Sequence, residues 1–228
     1  HTYAHNPNLL PKNAIIYNLE QLYEGSPYAH PLYLMLLKDK EIWDYSKQNI
    51  EWLKQKGVGK EIKHVGMNYA PTLEIKKDVF EDEITEDIDI LFIGALNPRR
   101  QAILDQLKAV APNLNIVFKN NAWGIARNEL IARSKIILNI HFYLSGILET
   151  PRVSYAVANK KFIISENSNP EDEIEWPGIV FTSYEKMIDN IMKYVALPEE
   201  RIKLAEKAYN HFEAKGSIGI LSPKGEKK

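Results

Sequence analysis

Hydrophobic positions along the chain gather into short apolar runs that alternate with stretches of helical period, punctuated by Gly, Pro and Asn. Near the start, Ala14–Leu19 and Glu41–Tyr45 read as strands, and Pro31–Lys38 and Lys47–Lys56 as helices, the second stopped by Gly57. Ile62–Met67 is a third strand. From Pro71 to Glu86 the pattern turns polar and acidic with no buried face, which predicts a linker and a boundary near residue 86. Beyond it the rhythm is clearer. Strands are predicted at Ile88–Ile93, Asn115–Phe118, Lys135–Phe142, Phe162–Ser165 and Ile179–Thr182. Helices are predicted at Pro98–Val110, Arg127–Arg133, Thr150–Asn159, Tyr184–Val195 and Pro198–Lys215. Strand–helix alternation of this kind predicts an α/β fold with a parallel sheet.

One junction carries chemistry. The apolar run Ile88–Ile93 passes through Gly94, Asn97 and Pro98 into a helix, with Pro98 at a favoured first-turn position. Arg99 and Arg100 enter where backbone N–H groups already favour an anion. A buried strand feeding a helix through such a turn is how α/β nucleotide-binding units begin. The expected ligand is phosphorylated.

Composition narrows the setting. With 228 residues and 45% hydrophobic positions the chain holds a real core in one large or two small domains. A net charge of −1 gives no global attraction for nucleic acid or an anionic membrane, so any polyanion site is local. The absence of cysteine excludes disulfides, thiolate metal sites and cysteine nucleophiles, and fits a reducing cytoplasm. No apolar run approaches the length of a membrane span, so no stable membrane insertion is expected. No His/Asp group has metal-ligand spacing. The opening His1–Pro11 lacks an initiator Met and reads as loop from within a protein, so a fragment or processed product is expected; the tail from Gly216 reads as frayed.

Four blocks, Ile15–Leu22, Ile42–Leu53, Asp87–Leu104 and Ile131–Glu166, resemble glycosyltransferases of the GT-B fold, especially bacterial and viral ones with a Rossmann-like C-terminal donor domain. The last block keeps the family's order of strand, loop, glutamate, short helix, Lys, strand and Ser. The resemblance implies an α/β chain of two Rossmann-like domains of GT-B type. Residues 1–86 would form an incomplete N-terminal, acceptor-side domain and residues 87–228 the C-terminal nucleotide-sugar-binding domain. It further implies metal-independent transfer of a sugar from a nucleotide-diphosphate donor, which is substrate and not cofactor. The acceptor is open among glycan, lipid-linked, protein and nucleic-acid classes. Two departures stand out. Many relatives carry two glutamates eight positions apart, yet the residue eight positions after Glu149 is Val157, and by register Tyr155 stands where the helix glutamate would be. Whether transfer retains or inverts configuration is therefore open.

On this resemblance Gly94, Arg99 and Arg100 would meet the donor diphosphate, since transfer builds negative charge on the departing group. Glu149 would grip ribose hydroxyls. Arg152 would face the diphosphate with the N–H groups of Val153, Ser154 and Tyr155, a reading favoured over a Glu149–Arg152 surface pair, which is worth little energetically. A basic residue in a helix's first turn opposes the helix dipole, a local conflict that points to a site. His141 ends a strand at the ligand edge of the sheet and is either a ligand to sugar or phosphate or a satisfied core histidine; Asn139 shares its face. Trp123 either stacks on the base or plugs a loop. Glu166 is a ligand-edge carboxylate of low specificity. Glu20 and Asp44 are the candidate catalytic carboxylates, with Asp44 or Ser46 alternatively capping the following helix. Rival readings are a non-catalytic nucleotide- or glycan-binding protein of the same fold, and a phage or viral enzyme that glycosylates DNA bases.

Overall fold

The computed structural model describes residues 10–76, 80 and 83–216. The opening segment, the tail beyond Gly216 and part of the acidic stretch lie outside the described residues. The chain divides into two compact units, His1–Met67 and Asn68–Lys228.

The first unit holds a parallel sheet of β1 (Ile15–Asn18), β2 (Glu41–Asp44) and β3 (Glu61–His64), in that order. Helices α1 (Pro31–Leu37) and α2 (Lys47–Gln55) connect the strands. Leu22, Leu37, Ile42 and Leu53 close a small core. Helix α2 starts where expected because the Ser46 side chain accepts from the Asn49 N–H.

The second unit is a five-stranded parallel sheet of β4 (Ile88–Ile93), β5 (Ile116–Lys119), β6 (Ser134–Asn139), β7 (Phe162–Glu166) and β8 (Val180–Thr182). Their spatial order is β5-β4-β6-β7-β8, so the chain reverses direction across the sheet between β4 and β6. Open α/β sheets bind ligands outside the carboxyl ends of the strands flanking such a reversal. Both faces are covered, which is why these strands read as continuous apolar runs. Ile90, Phe92, Ile136 and Leu138 pack under α3 (Pro98–Val110) and α7 (Met187–Val195). On the opposite face Leu91, Ile137 and Ile163 pack with Val153 and Val157 of α5 (Thr150–Ala158) and Phe212 of α8 (Pro198–Ala214).

Three differences from the pattern reading matter. The units divide at Met67, ahead of the boundary expected near residue 86, because the polar segment after Asn68 is tied to the second unit. There the Ile75 N–H donates to the Asn159 side chain, that side chain donates to the Leu73 carbonyl, and Tyr209 donates to Glu74. Helix α4 (Gly124–Ala132) starts three residues earlier than expected, directly after Trp123. Strand β6 stops at Asn139 rather than Phe142. A further short helix, α6 (Pro170–Glu175), capped by Asn169, was not visible as a periodic pattern.

Candidate functional site

The early stop of β6 organises the reversal point. Past Asn139 the backbone leaves the ladder, and three successive carbonyls are collected by the start of α3. Arg100 donates to the Ile140 carbonyl, Arg99 to that of His141 at 3.2 Å, and Asn97 to that of Phe142 at 3.0 Å. Asn97 also caps α3 by accepting from the Arg100 N–H at 2.9 Å.

Both arginines expected at the diphosphate are therefore occupied within the fold. Arg100 is 2% exposed, holds the Ala95 carbonyl at 2.7 Å and lies 3.6 Å from Glu149. Burial and the nearby Arg152 push its pKa down to about 10. Arg99 makes a two-pronged ion pair with Glu166 and stacks 4.0 Å over the Tyr184 ring. Glu166, of low specificity in the sequence, is thus an anchor for Arg99 and for the His141 N–H.

Arg152 is placed differently. Its Nη1 donates to the Asn139 side-chain oxygen at 2.9 Å, while its Nη2 rests over Gly94. A Cβ at position 94 would lie 2.9 Å from that nitrogen and 3.2 Å from the Phe92 ring, so the approach needs a glycine. Burial lowers the Arg152 pKa and the Glu149 charge opposes that shift. Next to Arg152 opens a cavity of about 450 Å³. Gly94, Ala95 and Arg152 line it, as do Ile93, Ile131 and Ala156. Tyr155, Trp123 and Arg127 also line it.

Trp123 is 76% exposed, so it is no loop plug. Tyr155 carries the Arg127 guanidinium 4.0 Å over its ring and donates to Asn128 at 2.7 Å. Arg127 was missed by sequence reasoning, because a cation on a short helix has no local mark of a ring supplied from another helix. Val153 and Ser154 are buried in the α5 core side, and the Val153 N–H is spent on the Glu149 carbonyl at 3.1 Å. Ser154 and Tyr155 lie past the first four positions of α5, where N–H groups bond within the helix.

Glu149 and His141 are brought together. Glu149 Oε2 lies 2.9 Å from His141 Nδ1 and accepts from Asn139 at 3.0 Å. Eight residues before Glu149 stands His141, so no second glutamate completes a pair on that side either. Burial would raise the Glu149 pKa, but His141, Arg152 and Asn139 hold it below the ordinary carboxylate value. Burial would likewise depress His141, yet the Glu149 hydrogen bond and the Glu149 and Glu166 charges raise it overall.

In the first unit Asp44 is fully buried, accepting from Asn18 at 2.6 Å, the Ser46 N–H at 2.8 Å and Asn49 at 3.0 Å. Burial pushes its pKa up to about 6. Glu20 is half-buried, with its pKa raised by burial, and its carbonyl accepts from Asn18 and Asn49. Among the described residues no group of three His, Asp or Glu side chains can hold a metal ion, and no helix is long and apolar enough to cross a membrane.

No protein-family model matches the chain. Two uncharacterized proteins of Acanthamoeba polyphaga mimivirus, L140 and R358, are 28% and 32% identical to it over 190 and 191 residues. These matches cover 81% and 80% of the chain but only 60% and 62% of the relatives, so the chain spans under two thirds of their length. Among solved structures, Anabaena HepE in complex with UDP and glucose matches with a TM-score of 0.63 at 8% identity, over 89% of this chain and 67% of that one. Sucrose-phosphate synthase from Thermosynechococcus elongatus matches with a TM-score of 0.54 at 11% identity, over 83% of this chain and 59% of that one. The chain has a GT-B-like glycosyltransferase fold.

Proposed function

We propose that the second unit binds a nucleotide-diphosphate sugar in the cavity beside Gly94 and Arg152, as the donor side of a glycosyltransferase that works without a metal. The observation that carries this is Arg152, a largely enclosed guanidinium held by one amide and laid over a bare glycine backbone that lines the cavity. Glu149 offsets part of the cost of enclosing this cation, but it also serves His141, Asn139 and Arg100, so an incoming anion gains from the charge left over. Like-charge stress between Arg100 and Arg152 is relieved by the same anion. As charge grows on the departing diphosphate, a cation already in place stabilises it without reorganising.

The rest of the cavity suits a nucleoside. Tyr155 and the exposed Trp123 offer stacking faces, and Ile93, Ile131 and Ala156 an apolar wall. Glu149, kept ionised, suits ribose hydroxyls. Arg99 and Arg100 act one step back, holding the loop after β6 that carries His141. Asp44 is enclosed and hydrogen-bonded on several sides, a scaffold for the first unit. The acceptor stays unassigned.

A thermal-shift panel of UDP-, GDP-, ADP-, TDP- and CMP-linked sugars tests this. Stabilisation by one nucleotide, lost in Arg152→Ala, is the expected result. No shift with any of them overturns the proposal. Tyr155, standing where the helix glutamate would be, favours a second reading, binding without transfer. Stabilisation without donor turnover would select it.

A further inference from the structure

We propose that His141 is a positioning residue held as an imidazolium, which keeps Glu149 ionised and, through Asn139, keeps Arg152 aimed into the cavity. Only the identity of what Arg152 meets there rests on the donor-site reading.

The hydrogen-bond partners set the protonation state. Nε2 of His141 lies 3.0 Å from the Asn167 carbonyl, which can only accept, and 3.2 Å from the Ser168 hydroxyl. That nitrogen therefore carries a proton. Nδ1 lies 2.9 Å from Glu149 Oε2, and a neutral ring protonated at Nε2 would turn a lone pair towards that carboxylate. With a proton on each nitrogen, both contacts become donor to acceptor. The ring is 3% exposed, so water supplies no substitute. The chain of contacts then runs from Asn167 through His141 to Glu149, and from Glu149 through Asn139 to Arg152. Glu149 and the Ser165 hydroxyl oxygen both accept from the Asn139 nitrogen, so the amide oxygen faces Arg152. Turning Glu149 neutral weakens the charge-assisted one of these two bonds and with it the hold on Arg152.

The charged groups around the ring come from several elements. Glu149 precedes α5, Glu166 ends β7 and accepts the His141 N–H at 3.1 Å, and Arg99 on α3 donates to the His141 carbonyl. Arg100 and Arg152 approach the far side of Glu149 and Asn139. Both carboxylates favour the charged ring, while the arginines act on it through those carboxylates. In this reading His141 touches no substrate.

The test is ring-nitrogen NMR of His141 in the nucleotide-free chain between about pH 5 and pH 9, spanning the ordinary histidine value. Expected are two proton-bearing nitrogens at neutral pH, a midpoint above that of a free histidine, and a fall below it in Glu149→Gln. A neutral ring at pH 7 overturns the proposal, whether or not any nucleotide binds. A second arm measures UDP and inorganic pyrophosphate affinity in His141→Gln, with thermal melts confirming that it folds. A loss of about tenfold, with the wild type's weakening at high pH abolished, is expected for a lost charge-assisted bond. Wild-type affinity in that variant overturns the positioning role. Should His141→Gln fail to fold, the Glu149→Gln titration still decides, because the histidine is intact there. If UDP and pyrophosphate both fail to bind the wild type while the ring stays doubly protonated, the donor-site reading falls and the imidazolium stands.

Discussion

Asn139 stands between opposite charges: its amide oxygen accepts from Arg152 at 2.9 Å and its amide nitrogen donates to Glu149 at 3.0 Å. One neutral side chain at the end of β6 thus holds a cation that lines the cavity and a carboxylate behind it. If Arg152 binds the diphosphate, its own removal costs the whole charge-assisted contact, whereas removing Asn139 costs only its aim. Arg152→Ala is expected to weaken binding of the stabilising nucleotide roughly 100-fold and Asn139→Ala about tenfold, in line with hydrogen bonds to charged groups. Titration calorimetry reads both. Unchanged affinity in Arg152→Ala would remove the diphosphate from this end of the cavity.

Arg99 predicts the opposite balance. Its guanidinium is spent on Glu166, on the His141 carbonyl and on the Tyr184 ring, with both ion-pair partners mostly buried. Truncation leaves Glu166 charged and unpaired, so Arg99→Ala should cost on the order of 3 kcal/mol of stability. Its effect on nucleotide affinity should be smaller than that of Arg152→Ala. Urea unfolding alongside calorimetry separates the two; an affinity loss as large as that of Arg152→Ala at full stability would put Arg99 on the ligand.

Much of this site was legible and some of it was not, for physical reasons. The strand at Ile88–Ile93 and the helix at Pro98–Val110 agree with the pattern, because a fully buried parallel strand and an Asn-Pro helix start are local signals. Arg152 beside a helix start stood out as a conflict with the helix dipole. What Arg99 and Arg100 do was hidden, since their partners lie some 40 and more residues away on the segment after β6. Nor did the pattern show that Glu149 meets His141, because a contact made across the loop between β6 and α5 has no periodic mark.

Gly94 offers a sharper test of geometry than any charge change. A methyl group there meets Arg152 Nη2 at 2.9 Å and the Phe92 ring at 3.2 Å. The guanidinium is the far end of a flexible side chain and can swing away, whereas the ring sits in the core and yields little. Gly94 also has a φ of +158°, where a side chain strains the backbone, so Gly94→Ala should lower stability by roughly 2–4 kcal/mol, crowding and strain together. Nucleotide affinity should fall severalfold as Arg152 is displaced. Calorimetry together with a thermal melt checks it; a variant with wild-type affinity would mean that Arg152 does not need the bare backbone.

The first unit carries a pH dependence of its own, and its sign is set by Asp44. The folded carboxyl sits at about 6 because burial outweighs the donors from Ser46, Asn18 and Asn49, while an unfolded aspartate titrates near 3.9. Between those values the folded chain binds more protons than the unfolded one, so this group's contribution to stability falls as pH rises. It is fully present below the unfolded value, shrinks through the interval and is lost once pH passes about 6. The difference amounts to roughly 3 kcal/mol at most. Asp44→Asn removes the titration while keeping one oxygen that can accept from Ser46 and Asn49; the bond from Asn18 is lost at every pH, so it does not alter the pH dependence. Urea melts of both proteins at about pH 5 and about pH 7.5 should show the wild type losing stability relative to Asp44→Asn over that interval. A wild type that gains stability relative to the variant would mean that the three donors overcome burial, and that Asp44 is a charged hub of the first unit rather than a neutral one.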